Sequence, residues 1–201
     1  MSSYPILDTG EKEREKTYKS GYFRKRFAVS RSTIKQILQP ILGTTQASDI
    51  HLGTEKKGRV TIDGRPDIFI SLSYSGTYIA LTVAKQKIGS DLEMVRSLNI
   101  QKTKSSAFFS CTKGCNEDDR TLTFLHQWTM LESFVKLRDV SLYPLLKERF
   151  NVDGVHFTSY LINQRFILSL ASEEPHLDCV VLRICPESWH HGSTDESPSI
   201  L

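Results

Sequence analysis

Four side chains in this sequence combine types and spacings suited to proton and phosphate chemistry: Asp91 and Glu93, two residues apart, and Glu132 and Lys136, four apart. Successive side chains of a strand alternate between its faces, so on a strand Asp91 and Glu93 project the same way. Burying two carboxylates together is costly unless a cation, or an arginine or lysine, neutralises them. A bound metal meets that need, and oxygen-only ligation favours Mg²⁺ or Mn²⁺ over zinc. A solvent-exposed acidic strand end has the same spacing, so the pair alone does not decide. Glu132 and Lys136 lie one helical turn apart, where an ordinary i, i+4 ion pair is worth only about 0.2–0.5 kcal/mol. Their interest lies in the helix around them.

That helix is expected over residues 121–137. Leu122, Phe124, Leu125, Trp128, Met130, Leu131, Phe134, Val135 and Leu137 spread apolar surface around most of the cylinder, which predicts a largely buried rod. Thr129, Glu132, Ser133 and Lys136 fall at i, i+3, i+4 and i+7 and make its single polar stripe. The stripe must face water, a partner or a site. In a site its acid and base would serve proton transfer and phosphate charge.

The acidic pair needs a strand. From Asp67 the texture has period two, with Ile68, Ile70 and Leu72 alternating with Phe69, Ser71 and Ser73. Ser75-Gly76 then leads into a β-rich run over 77–83, which reads as a hairpin. After the polar break Lys85-Gln86-Lys87, residues 88–93 make a third strand expected to continue the meander. Upstream, Ile34, Ile37, Leu38, Ile41 and Leu42 predict a helix over 29–43 with one buried face. Ser30 is placed to cap its start and Gly43 its end, while Pro40, lacking an N–H, should kink or shorten the last turn. Further strands are expected over 150–156, 165–170 and 179–184, and disorder over 187–201.

A chain of 201 residues, 39% hydrophobic and 24% charged, has the composition of an ordinary globular protein of one domain or two small ones. Its apolar runs are shorter than the roughly 18–20 residues of a membrane span, and its start is too polar for a signal-peptide core, so a cytoplasmic location away from membranes is expected. A net charge of +3, with no interleaved aromatic platforms, argues against nucleic acid as partner. Lys12, Arg14, Lys16, Lys19, Arg24, Lys25, Arg26, Arg31 and Lys35 nevertheless crowd the first 35 residues, as an anion site or as a solvated helix face. Cys111, Cys115, Cys179 and Cys185 form no CxxC pair and are expected to be reduced thiols, dispensable for activity.

Taken in order, these blocks resemble the Sfp-type 4′-phosphopantetheinyl transferases. The family's G-(V/I)-D-(I/V)-E block is met by Ser90-Asp91-Leu92-Glu93, with Ser90 read at the glycine. Its W-(S/T)-x-K-E-(A/S)-x-x-K block is met by residues 128–136, from Trp128 to Lys136, with Leu131 in place of the lysine before Glu132. Ser71-Leu72-Ser73-Tyr74-Ser75 resembles the N-(I/L)-S-H-S segment, Tyr74 standing at the histidine. Arg24-Lys25-Arg26-Phe27 with Arg31 resembles the basic opening, and Gly58-Arg59, or alternatively Gly64-Arg65-Pro66, the G-K-P turn. Lys113 falls where many relatives carry glutamate, and Arg138-Asp139-Val140-Ser141 replaces a G-x-G. The likeness covers roughly residues 12 to 170.

The resemblance implies an α+β fold of two similar α/β halves related by a pseudo-twofold axis. Residues 1–86 would carry a basic coenzyme A-binding region and 87–186 an acidic metal site, with coenzyme A in the cleft between them. Asp91, Glu93 and Glu132 would hold Mg²⁺, or Mn²⁺, against the pyrophosphate, and Lys136 would stabilise charge on the phosphate in transfer. Arg31, Arg59, Ser73 and Tyr74 would contact coenzyme A phosphates, with Arg24, Lys25 and Lys19 near the adenosine end. The expected helix start would add free N–H groups beside Arg31. A serine of an acyl- or peptidyl-carrier protein, as in polyketide, nonribosomal-peptide or fatty-acid biosynthesis, would attack the β-phosphate and release 3′,5′-ADP. Glu132, or a water on the metal, would take the serine proton. The acting species would be a monomer. The departures at Tyr74, Ser90, Leu131 and Lys113 and the absent G-x-G leave a second reading, a relative that binds coenzyme A or a carrier without transfer.

Overall fold

The computed structural model describes residues 6–55, 58–98, 117–146, 152–175 and 182–184. The chain divides into two compact units, one through Pro66 and one from Asp67. The sequence-based boundary at 86/87 falls inside the second unit.

In the first unit, Asp8 and Glu11 close a capping box at the start of α1 (Thr9–Thr17): the Glu11 amide donates to Asp8 Oδ1 at 2.8 Å and the Asp8 amide to Glu11 Oε2 at 3.0 Å. Helix α2 (Gly21–Leu42) begins well before residue 29, which corrects the sequence-based start. Its first turns expose Tyr22, Phe23, Arg24 and Lys25, so no apolar stripe marks them. Ser30 is therefore no cap but a buried mid-helix residue whose Oγ donates to Phe27 O at 2.9 Å. The helix runs through Pro40 to Gly43, whose φ of 66° closes it. Pro40 and Gln36 both lie on the exposed face, where water can serve the carbonyl that proline leaves unpaired.

Two cations of the basic run point inward. Lys35, fully buried, donates to Glu11 Oε2 at 2.7 Å and Asp8 Oδ2 at 3.4 Å and so pins α1 to α2. Burial acts to raise the Asp8 carboxyl pKa, but the Glu11 amide and the Lys35 ammonium outweigh it and hold the group below its ordinary range. Strands β1 (Leu52–Thr54) and β2 (Val60–Ile62) complete the unit as an antiparallel pair.

The second unit opens with the expected hairpin, β3 (Phe69–Ser75) and β4 (Tyr78–Ala84), paired antiparallel from Phe69↔Ala84 to Ser75↔Tyr78. Strand β5 (Ile88–Met94) does not continue the meander. It pairs antiparallel with β7 (Phe166–Ser172), which also pairs with β6 (His156–Ile162), while the far edge of β4 is taken by β8 (Leu182–Ile184). The strand expected over 150–156 thus begins only at His156, after a turn in which Gly154 has φ 69°. The result is an α+β protein with several antiparallel sheets. Strand β7 is buried on both faces: Phe166, Leu168 and Leu170 cluster with Ala80 and Leu92, and the alternate residues face helix α3 (Glu117–Arg138).

Helix α3 presents Thr121, Leu125, Thr129, Ser133 and Leu137, every fourth residue and all buried, as the ridge laid on β5 and β7. The polar stripe is accordingly split. Thr129 and Ser133 are packing residues, with Thr129 Oγ1 2.7 Å from Ser169 Oγ and Ser133 Oγ donating to Met130 O at 2.8 Å, and only Glu132 and Lys136 reach the margin. Helix α4 (Leu142–Leu145) follows. The four cysteines, Lys113 and residues 187–201 lie outside the described residues. Among those described, no helix is long and apolar enough to cross a membrane.

Candidate functional site

Asp91 and Glu93 share the face of β5 that meets α3, and the contact is set by Gly89 on the same face. A Cβ at Gly89 would lie 1.9 Å from Ser133 O and 2.5 Å from Leu137 N, so only glycine admits the helix backbone here. Gly89 therefore supplies the glycine of the G-x-D-x-E block and Ser90 its second position, which corrects the register read from sequence.

Close packing delivers the α3 side chains to the acids. Lys136 Nζ donates to Asp91 Oδ1 and to Ser90 O, both at 2.8 Å, and Ser73 Oγ on β3 donates to the same Oδ1 at 2.8 Å. Asp91 Oδ2 is buried with no hydrogen-bond partner among the described residues. Glu93 Oε2 accepts from Arg96 Nη1 at 2.9 Å and from Ser75 Oγ at 3.3 Å.

Burial pushes the Asp91 pKa above its ordinary value, with a small addition from Glu93, against the pull of Lys136 and Ser73. Glu132, half-buried, is also raised, by burial first and then by the charge of Asp91, with Lys136 opposing and Glu93 adding. Three carboxylates thus share one field with one ammonium.

Among the described residues, no three His, Cys, Asp or Glu side chains gather closely enough to enclose a metal. Mg²⁺ commonly takes only one or two carboxylates, the rest of its shell being water and substrate phosphate. The unpartnered Asp91 Oδ2 and the mutual repulsion of Asp91, Glu93 and Glu132 fit such an ion. Lys136 and Arg96 already provide part of the neutralisation, the other way of balancing a buried acidic pair.

The remaining residues expected in the site distribute as follows. Ser73 joins Asp91, whereas Tyr74, next along β3, points to the opposite face and is half-buried. Arg24, Lys25, Lys19, Arg31 and Arg59 belong to the first unit. Arg24, Lys25 and Lys19 are exposed, and Arg24 Nη2 donates to Tyr18 O at 3.3 Å. Arg59 lies 4.0 Å from Glu55. Arg31 is buried in mid-helix, away from any free N–H groups, with Nη2 donating to Thr54 Oγ1 at 2.7 Å and its guanidinium 5.4 Å from the Phe27 ring centre. Sequence reasoning missed Gly89, Arg96 and the serines Ser71 and Ser75. A glycine inside a strand and serines at every second position were the available signals.

Ser90 Oγ is fully buried and unpartnered. Ser90→Ala keeps the backbone bonds of residue 90 and removes an unsatisfied hydroxyl, so it should raise stability by about 1 kcal/mol. A lower melting temperature than wild type would show that the hydroxyl is in use.

A buried acidic strand facing a Glu/Lys helix is thus the charged cluster of this α+β protein. No family model matches the chain. It is 33% identical over 94 residues to the 4′-phosphopantetheinyl transferase Sfp of Bacillus subtilis (strain 168), covering 44% of this chain and 41% of that protein. It is 32% identical over 90 residues to a 4′-phosphopantetheinyl transferase of Bacillus subtilis, covering 43% and 40%. A third Bacillus subtilis protein, 4′-phosphopantetheinyl transferase ffp, is 25% identical over 92 residues, covering 44% and 41%. The chain is thus similar in sequence to 4′-phosphopantetheinyl transferases, as its motifs indicated, and it spans about two fifths of the length of these relatives.

Proposed function

We propose that this protein transfers the 4′-phosphopantetheine arm of coenzyme A to a serine of an acyl- or peptidyl-carrier protein, releasing 3′,5′-ADP. The observation that carries the reading is the charge cluster in which Asp91, with one oxygen unpartnered, meets Lys136 and the raised Glu132 beside Glu93. Asp91 and Glu93, with Glu132 facing them from α3, are the residues that would hold Mg²⁺ (or Mn²⁺), which would supply positive charge to the pyrophosphate. Lys136 stabilises charge on the transferred phosphate. Glu132, or a water on the metal, would accept the serine proton. Tyr74, expected at the phosphate, points to the face of β3 opposite Asp91, so no phosphate contact is assigned to it in this site. Arg24, Lys25 and Arg59 are the cations assigned to coenzyme A, with Arg31 a buried support. The relatives' names support coenzyme A and a carrier protein as partners.

A second reading, binding without transfer, is favoured by one observation: Lys136 is already paired with Asp91 and the Ser90 carbonyl. Intact-mass analysis of several apo-carriers incubated with the protein, coenzyme A and Mg²⁺ separates the two. The expected result is a mass gain of one phosphopantetheine arm. Coenzyme A binding by calorimetry with no mass gain on any carrier would establish the second reading instead.

A further inference from the structure

Strands β3 and β5 run in the same direction, and the sheet order of the described residues places no backbone ladder between them. They are joined instead by three buried serines at every second position of β3. Ser71 Oγ accepts from the Ser90 amide at 2.8 Å, Ser73 Oγ from the Leu92 amide at 3.0 Å and Ser75 Oγ from the Met94 amide at 2.8 Å. These amides alternate with the β5 residues whose side chains face α3. Each rung therefore lies beside one position of that face: Gly89, Asp91 and Glu93 in turn.

A hydroxyl has a single proton to give. Ser73 gives it to Asp91 Oδ1 at 2.8 Å and Ser75 gives it to Glu93 Oε2 at 3.3 Å, while the rung of Ser71 lies beside a glycine and has no carboxylate to hold. Each acid is thereby tied, through one hydroxyl, to the next amide of its own strand, which limits its side-chain rotation. With Ser73 and Lys136 both on Oδ1, the oxygen of Asp91 left over is Oδ2. The same count removes Ser73 from the phosphate contacts expected of it, since phosphate oxygens need donors and its only proton is spent on Asp91.

We propose that Ser73 and Ser75 are positioning residues that hold Asp91 and Glu93 as a divalent-cation pair, Ser73 selecting Asp91 Oδ2 as the oxygen that meets the ion. The assignment rests on the metal-site reading of these acids. Mn²⁺ alone, titrated calorimetrically into the full chain, is the probe, and amide hydrogen exchange reports each rung. Ser71→Ala, Ser73→Ala and Ser75→Ala should each speed exchange at their own amide, Ser90, Leu92 or Met94, and each lower the melting temperature by a similar amount. Mn²⁺ affinity should separate them. It should fall about tenfold for Ser73→Ala and Ser75→Ala, stay unchanged for Ser71→Ala, and be restored when Ser75 is replaced by threonine. If Ser73→Ala does not fold, the Ser75→Ala and Ser75→Thr pair decides. Wild-type affinity in Ser75→Ala, or an equal loss in Ser71→Ala, overturns the positioning role while leaving the metal site standing. Wild-type protein that takes up no Mn²⁺ overturns the metal reading and this assignment with it.

Discussion

Gly89→Ala should destabilise the second unit by about 3 kcal/mol or more, at the upper end of what overpacking costs. The added methyl would overlap the Ser133 carbonyl and the Leu137 amide, which are backbone atoms and cannot swing aside as a long side chain can. Relief requires α3 to lift off β5, which opens the whole ridge from Thr121 to Leu137 and draws Lys136 away from Asp91. Stability and transfer should therefore fall together, with a melting temperature lower by roughly 10 °C for a unit of this size. Gly21→Ala is the control. Its Cβ meets nothing within 4 Å in the first turn of α2, so it should be neutral or slightly stabilising. A Gly89→Ala protein that melts within a degree of wild type would show that α3 does not approach β5 as closely as described.

The reason Gly89 escaped the sequence reading also explains what else was and was not legible there. Local periodicity marked the β3–β4 hairpin and the body of α3, because alternation and the 3.6-residue repeat are written into consecutive residues. The partner of β5 is not, since β7 lies more than seventy residues on and nothing near β5 names it. The early turns of α2 carry exposed aromatics and cations instead of an apolar stripe, so the helix looked shorter than it is. Lys35 read as part of an anion site or a solvated face, and Arg31 as a phosphate contact, because lysines and arginines on helices usually reach solvent or a ligand. Their burial depends on Glu11 and Thr54, contributed by other elements. At the site, Asp91, Glu93, Glu132 and Lys136 were found by type and spacing. Ser71, Ser73 and Ser75 stood out only as a motif and not as rungs, because a serine in a strand carries no mark of the amide it will serve.

Asp91→Asn and Glu132→Gln should each lower carrier modification by roughly a hundredfold or more, since each keeps the shape of the side chain and removes a charge that the developing phosphate chemistry needs. Combined with Glu93→Gln, their effects should be strongly non-additive, because residues acting as one unit are disabled by the first loss. The two replacements should part company in stability. Glu132 holds its proton to higher pH in the folded chain than in the unfolded one, owing first to burial and then to Asp91. Between the two pKa values the folded state binds the extra proton, so stability falls as pH rises through that interval, and the loss is complete above the folded value. The Glu132→Gln protein has no such loss. It should melt like wild type below the carboxylate range and above wild type at pH 8, while inactive at both. Asp91→Asn should gain less at pH 8: burial raises the Asp91 pKa as well, but the replacement takes the carboxylate from Lys136 and leaves that ammonium without its ion pair. Thermal melts at the two pH values, beside intact-mass assays of transfer, test both halves. Near-wild-type transfer by either variant would sink the proposed roles of these acids. A Glu132→Gln protein less stable than wild type at pH 8 would show that Glu132 is held by an attractive contact that outweighs its repulsion from Asp91 and Glu93.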